Sequence, residues 1–457
     1  MKQHEIEELK KKILSEVEMY YNLCHQKKEY VEGDHINYSG RVYDAKEMTS
    51  LVDSSLDFWL TSGKYTNTFE KKLAEFLEVK HAFFVNSGSS ANLLAIMALT
   101  SPLLEDRALG RGDEIITVAA GFPTTVAPIF QYGAVPVFVD ITIPQYNIDV
   151  DQMESALSEK TKAVMLAHTL GNPFNISKVK DFCVQNDLWL IEDNCDALGS
   201  QYKYGVDFQY TGTFGDIGTS SFYPPHHMTT GEGGAVYTND DLLSKIILSM
   251  RDWGRDCTCP SGMDNTCGHR FDRQYGELPL GYDHKYVYSH FGYNLKATDL
   301  QAAIGVPQLE KLPNFMKRRK ENFKYLKEKL LEYSLDKYLI LPEAEKDSDP
   351  SWFGFLMTCR NSVDRNGLVQ YLEGKNIQTR MLFAGNITLH PCFDNIRDNP
   401  DYYRMIGSLE NTNIVLEDAF WIGVYPGLTK PMMDYVVKSM HEGIKEQCNR
   451  KSKQANV

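Results

Sequence analysis

"VNSGSSANLLAI", residues 85–96, joins the end of an apolar run to a helix-forming run through Gly88, Ser89 and Ser90. Free amides at a helix N-terminus, approached closely because the residues there are small, form a phosphate cradle. The same residues also read as an ordinary serine cap. Short apolar runs recur on either side of this turn: AFFV (82–85), EIITV (114–118), PVFVD (136–140), AVMLAH (163–168), LWLIED (188–193) and TSSFY (219–223), with helical patterns between them. This alternation predicts an α/β fold with a mainly parallel sheet covered by helices. In open sheets of that kind ligands bind beyond the carboxyl ends of the strands, so strand-end residues are the first candidates for function.

A chain of 457 residues has room for one large domain with smaller appendages. Three units are expected: a helix and arm over 1–55, a large domain over 56–315 with an insertion at about 255–285, and a small α+β domain over 316–457. A formal charge of −13 argues against a nucleic-acid or anionic-membrane partner, because phosphates would be repelled except at a local basic patch. At the N-terminus Ile6, Leu9, Ile13, Val17 and Tyr20 recur at helical spacing, which predicts an amphipathic helix rather than a signal peptide or a membrane span. Nine cysteines without a secretion signal suggest reduced thiols or metal ligands and a cytoplasmic protein.

Two further strand ends carry chemistry. In "LIEDNCDALGS", 190–200, Asp193 closes an apolar strand, where a carboxylate can hold a protonated ring nitrogen or simply cap a helix. In "VAAGFPTTVAP", 118–128, Phe122 is a ring-stacking platform or a core residue. A fourth signal, "RDCTCPSGMDNTCGHRF" at 255–271, supplies Cys257-x-Cys259-x7-Cys267, and Cys195 follows Asp193 by two residues. Four thiolates can hold zinc or an iron–sulfur cluster, and the spacing favours neither. A ligand beside a cofactor site suits electron delivery better than pinning a loop. Cys24, Cys183, Cys359, Cys392 and Cys448 are scattered and read as structural.

The order of these signals, with "FWLTSGKYTNTFEKKLAEFL", "GAVPVFVDI", "SFYPPHHMTTGEGGAV" and "GYNLKATDLQAAIGVPQLEKL", resembles the fold-type-I pyridoxal-phosphate enzymes over nearly the whole chain. More narrowly it resembles their sugar-nucleotide aminotransferase and dehydratase branch. The resemblance implies a large domain with a seven-stranded sheet and a small C-terminal domain. It implies Gly88, Ser89, Ser90 and Ser221 at the cofactor phosphate, Phe122 on the ring face and Asp193 on the ring nitrogen. It further implies a homodimer in which Asn294 reaches the phosphate of the neighbouring subunit's cofactor. Arg380, Asn386 and His390 lie where the branch contacts substrate, and Lys296 stands where an arginine is common.

The departure from the pattern lies in "SSFYPPHHMTTGEGG", 220–234, where His226 occupies the position of the cofactor lysine. Histidine forms no Schiff base, so the cofactor is expected to be noncovalent pyridoxamine 5'-phosphate, with His226 as the base. His227, one residue on, is expected to be structural or supporting. The lost lysine together with Cys257, Cys259, Cys267 and Cys195 resembles the pyridoxamine- and 2Fe–2S-dependent 3-dehydrases of the branch. That resemblance implies C3 dehydration of a CDP-linked 4-keto-6-deoxyhexose, completed with electrons from an NADH-dependent flavin or iron–sulfur reductase. The rival readings are a cluster-free dehydratase for a GDP-sugar and a noncatalytic cofactor-binding regulator with structural zinc.

Overall fold

The computed structural model describes residues 2–26 and 28–455, with side chains up to 449. Its centre is an eight-stranded sheet. The strands in chain order are β1 (His81–Val85), β2 (Glu114–Val118), β3 (Val135–Val139), β4 (Thr161–Ala167), β5 (Trp189–Asp193), the hairpin β6 (Gln201–Tyr204) and β7 (Asp207–Tyr210), β8 (Ile217–Ser221) and β9 (Gly234–Thr238). Further on come β10 (Leu339–Ile340), β11 (Ser348–Asp349), β12 (Gly354–Cys359), β13 (Arg404–Met405) and β14 (Ala419–Gly423). The large sheet runs β1-β9-β8-β5-β4-β2-β3-β13, parallel throughout except for β9.

Residues on β4 show why these strands read as continuous apolar runs. Ala163 and Met165 face one core and Val164 and Leu166 the other, so both faces are buried. The first core is completed by the helices Gly88–Ala98 and Asp241–Arg251, and the second by the helix Ile176–Gln185. Seven of the strands form the expected sheet; the eighth, β13, comes from the C-terminal part. It is two residues long and is held at the edge by Arg404, whose Nε and Nη2 donate to Glu114 Oε1 and Oε2 at 2.8 and 2.7 Å.

β10, β12 and β14 make a separate antiparallel sheet, packed with the helices Arg365–Gly374 and Lys430–Ala455 around its own core. The helix Asp299–Glu332 runs unbroken through the expected boundary at 315–316. Leu309 and Leu312 in its first half pack with the large domain, and Phe323, Leu326 and Leu330 in its second half with the small one. The two units therefore share a helix instead of meeting at a linker. Between Arg251 and Asp299 the chain is irregular apart from the short turn His284–Tyr286.

The N-terminal helix, Lys2–Cys24, lies against the helix Ala45–Asp57. Only Ile13 and Val17 of its apolar stripe are half-buried, while Ile6, Leu9 and Tyr20 are exposed, because the neighbouring helix is half its length. Among the described residues no helix is long and apolar enough to cross a membrane. All nine cysteines are free. Cys183 and Cys359 are buried as structural thiols would be, whereas Cys24 and Cys392 are exposed.

Candidate active site

At the carboxyl ends of the parallel strands lies a cavity of about 380 Å³, lined among others by Ser87, Gly88, Ser89, Phe122, Asp193 and Ser221. Cys195, Asp196, His226 and Arg380 also line it, and among the described lining residues there is no lysine. The helix starting at Gly88 is capped by Ser87, whose Oγ accepts from the Ser90 amide at 3.0 Å. No acidic residue occupies its first turn, so its positive end is uncompensated. A Cβ on Gly88 would fall 2.4 Å from the Ser221 Cβ, and one on Gly234 2.4 Å from the Ser87 carbonyl oxygen. The two glycines thus let the helix start, the end of β8 and the start of β9 meet at one cradle.

Ser90 is not among the lining residues. Its hydroxyl accepts from Ser87 Oγ at 3.0 Å, which places it inside the cap, and Ser87 takes the lining position instead. The signal for Ser87 was available, since a serine directly before the first helical residue is the preferred cap.

Asp193 is only 4% exposed, and its carboxylate is fixed by three donors. Asn92 Nδ2 and Thr125 Oγ1 donate to Oδ2 at 2.7 Å each, and the Cys195 amide donates to Oδ1 at 3.1 Å. Thr219 Oγ1 in turn donates to Asn92 Oδ1 at 2.6 Å, which sets the orientation of that amide. Asn92, Thr125 and Thr219 were not singled out in the sequence, where each reads as a core polar residue. Phe122 caps the helix Pro123–Tyr132 and is 49% exposed, with its ring edge-on to Phe383 at 6.0 Å.

His226 Nε2 stands 3.2 Å from Asp196 Oδ1, while His226 Nδ1 and Asp196 Oδ2 are buried without a partner. The ring sits between Tyr223 and Phe353, at centroid distances of 6.1 and 5.4 Å. The His226 backbone is held by Arg319, whose Nη2 donates to its carbonyl at 3.1 Å and whose Nη1 donates to the carbonyls of Trp352 and Phe353. Burial pulls the Arg319 guanidinium down to about 9, with Asp196 opposing. His227 does not line this cavity: it is buried, its Nε2 donates to the Ser351 carbonyl at 2.6 Å, and burial, then Arg319, holds its imidazole well below the ordinary range.

Of the other expected contacts, Arg380 lines the cavity, with its guanidinium 4.0 Å from the Tyr38 ring. Asn386 does not; it caps the turn Ile387–Leu389 and bonds Asn413 at 2.7 Å. His390 is exposed and bonds the Ala384 carbonyl at 2.8 Å. Asn294 is exposed and also absent from the lining of its own chain's cavity. Lys296 binds Asp252 at 2.7 Å and lies over the Trp253 ring, which leaves it outside this site.

The four-cysteine set does not come together. Cys257, Cys259 and Cys267 line a small cavity in the insertion, whereas Cys195 lines the large cavity beside Asp193. No described residue lines both cavities, and among the described residues no group of three or more His, Cys, Asp and Glu converges as a ready metal site. Cys195 is tied to the end of β5 through its amide, while the other three lie in the irregular stretch between Arg251 and Asp299. Burial and then the Asp193 charge push the Cys195 thiol up. Burial also opposes ionisation of Cys259, but the Thr266 hydroxyl and neighbouring amides outweigh it and bring that thiol to about 7.

Taken together, the large cavity can receive a phosphate at the helix start, a flat ring against Phe122 and a protonated ring nitrogen at Asp193. The one imidazole among its described lining residues, His226, is paired with a carboxylate.

The chain is 54% identical over 437 residues to the lipopolysaccharide biosynthesis protein RfbH of Salmonella typhimurium, covering 95% of this chain and 98% of that relative. It is 50% identical over 406 residues to the dTDP-4-dehydro-2,6-dideoxy-D-glucose 3-dehydratase of Saccharopolyspora spinosa, covering 88% and 85%. Among solved structures, E. coli GDP-4-keto-6-deoxy-D-mannose-3-dehydratase with bound hydrated PLP superposes with a TM-score of 0.77 at 28% identity, covering 89% of this chain and 99% of that one. The fold is that of the fold-type-I pyridoxal-phosphate enzymes. Residues 42–441 match one family model, and the chain belongs to the DegT/DnrJ/EryC1/StrS aminotransferase family.

Proposed function

We propose that the chain is a nucleotide-sugar 3-dehydratase that holds pyridoxamine 5'-phosphate noncovalently and removes the C3 hydroxyl of a 4-keto-6-deoxyhexose. The observation that carries the reading is a cavity with a strand-end carboxylate and a helix-start cradle but, among its described lining residues, no lysine, with the His226–Asp196 pair in its wall. The relatives named as 3-dehydratases support the reaction class. The carrier nucleotide is CDP in this proposal, on the strength of the sequence resemblance.

Bound there, the cofactor supplies an amine for the sugar's 4-keto carbon and a ring that withdraws electrons. The amides at the start of the Gly88–Ala98 helix, with Ser89 and Ser221, hold the phosphate. Asp193, fixed by Asn92, Thr125 and the Cys195 amide, holds the ring nitrogen's proton in place. Phe122 covers one ring face. His226 lines the cavity with its Nε2 3.2 Å from Asp196 Oδ1, and its imidazole would be the group that takes the proton from the carbon bearing the cofactor's amine. The imidazolium so formed would return that proton to the departing C3 hydroxyl.

A lysine at position 226 would serve as both tether and proton shuttle and would carry the chemistry on to amine transfer. Histidine keeps only the proton work. Completing a 3,6-dideoxy product needs two electrons, whose delivery we assign to an iron–sulfur cluster held by the insertion's thiols and fed by an NADH-dependent flavin or iron–sulfur reductase. We also propose a homodimer, in which Asn294 serves the cavity of a second copy. The exposed Tyr286, Tyr288 and fully exposed Phe291 beside it support an interface there.

Product analysis tests the reading. Enzyme loaded with pyridoxamine phosphate, given CDP-, dTDP- or GDP-linked 4-keto-6-deoxyhexose together with reductase and NADH, is expected to form a 3-deoxy sugar, most rapidly from the CDP substrate. A 4-amino sugar formed with glutamate as donor would identify an aminotransferase instead.

A further inference from the structure

We infer that Arg319 is a positioning residue for the reaction: one buried guanidinium holds the backbone of His226 and that of Phe353, the residue packed on the His226 ring. Arg319 Nη2 donates to the His226 carbonyl at 3.1 Å, and Nη1 donates to the carbonyls of Trp352 and Phe353 at 3.3 and 3.4 Å. All three carbonyls lie outside helix and strand, so no ladder fixes them. The Phe353 ring stands 5.4 Å from the His226 ring, and both residues line the large cavity, whereas Arg319 does not. A side chain outside the cavity thus sets where two of its lining residues stand.

Its place on the helix Asp299–Glu332 explains the reach. Arg319 lies between Leu312, which packs with the large domain, and Phe323, which packs with the small one. The guanidinium spans the same divide, because His226 belongs to the turn after β8 while Trp352 and Phe353 lead into β12 of the small sheet. One helical turn on, Phe323 stacks on Trp352 at 3.9 Å and 3°. His227 adds a second tie between the two segments, with its Nε2 donating to the Ser351 carbonyl at 2.6 Å.

As a contribution to stability alone the arrangement is a poor one. Arg319 is 1% exposed, its Nε is buried without a partner, and its hydrogen bonds go to neutral carbonyls. Asp196, the carboxylate at His226 Nε2, is the charge that favours the guanidinium against burial. A well-packed apolar side chain would serve such a site at least as well if folding were the only requirement. What guanidinium adds is a rigid planar fork that delivers donors to several acceptors in fixed directions, which an ammonium does not. That precision matters for a base, because a displacement of about 1 Å costs on the order of 10² in rate.

The inference rests on the reading of His226 as the base, and two assays on the full chain separate them. In the first, pyridoxamine phosphate-loaded enzyme exchanges the sugar's C3 oxygen with ¹⁸O water, which gives kcat and KM, and dialysis gives the cofactor Kd. Arg319→Met is expected to lower kcat by about tenfold or more and Arg319→Lys, which keeps a cationic donor, by about threefold, with KM and Kd within about twofold of wild type. The second assay reads placement alone: the rate at which His226→Lys captures pyridoxal phosphate at position 226, trapped with borohydride. Adding Arg319→Met is expected to slow capture by about tenfold or more, and adding Arg319→Lys by about threefold. Exchange within twofold of wild type in Arg319→Met, with His226→Asn slow, would overturn the inference, as would slowed exchange without slowed capture or a loss carried equally by KM and Kd. Slowed capture with exchange unaffected in both Arg319→Met and His226→Asn would keep Arg319 as the positioning residue and remove His226 as the base. Where Arg319→Met fails to fold, the same outcomes are read from Arg319→Lys.

Discussion

His226 Nε2 and Asp196 Oδ1 are 3.2 Å apart in the wall of the large cavity, with side chains 16% and 11% exposed. A carboxylate at one imidazole nitrogen fixes the tautomer and stabilises the ring when it takes up a second proton. Asp196→Asn is therefore expected to lower kcat for dehydration by less than the roughly 10²–10⁴ that a general base contributes, with KM for the sugar little changed. Steady-state kinetics checks this. A loss expressed only in KM would mean that Asp196 contacts the substrate instead.

His226→Lys restores the amine that the cavity lacks. After pyridoxal phosphate and borohydride, peptide mapping is expected to find the cofactor attached at position 226 in this variant and nowhere in wild type. Attachment to a lysine of the wild-type cavity would remove the argument from the missing anchor.

Gly88→Ala places a methyl group 2.4 Å from the Ser221 Cβ, with both residues buried. Overpacking of this kind costs about 1–3 kcal/mol. Because the strain falls on the phosphate cradle, pyridoxamine phosphate affinity is expected to drop by about tenfold or more. Equilibrium dialysis together with a thermal melt checks it, and an unchanged Kd would show that the cradle tolerates a side chain.

Much of this site was legible in the sequence because Ser89, Phe122, Asp193 and Ser221 lie at or near a strand end or a helix start, while His226, in the turn after β8, was marked by the resemblance. Ser89, Phe122, Asp193, Ser221 and His226 all line the cavity, brought there by parallel strands whose apolar runs can be read directly. β9 is antiparallel and begins in a glycine-rich turn, so the alternation of strands and helices did not reveal it as a separate strand. β13 is two residues long, too short for any periodicity. The hydrogen bonds to Asp193 come from residues 68 and 101 positions away, and nothing local marks Thr125 or Asn92 as their source. The cysteines show the same limit: Cys195 was joined to Cys257, Cys259 and Cys267 by its place beside Asp193 and by the resemblance, but it lines the large cavity whereas the other three line the small one.

Acid stability carries a signature of His227. Its folded-state imidazole titrates well below the ordinary range, so it stays neutral in the folded protein while the unfolded chain takes up a proton as pH falls below about 6.5. The stabilisation is complete above that pH and is lost below it, by up to about 1.4 kcal/mol per pH unit. His290, also lowered by burial, adds to the same trend. Urea midpoints between pH 5 and 7.5 are expected to fall less steeply with acid in His227→Gln than in wild type. Equal slopes would mean that His227 is charged in the folded protein.

The most direct measurement follows C3–oxygen cleavage without any reductase. Pyridoxamine phosphate-loaded enzyme is incubated with the nucleotide-linked 4-keto sugar in ¹⁸O water, and the sugar's C3 oxygen is analysed by mass spectrometry. Wild type is expected to incorporate ¹⁸O, and His226→Asn, with its cofactor still bound, to incorporate it at least a hundredfold more slowly, the lower end of the roughly 10²–10⁴ that a general base contributes. Exchange in His226→Asn within tenfold of wild type, or none in wild type, would contradict the assignment of proton transfer to His226.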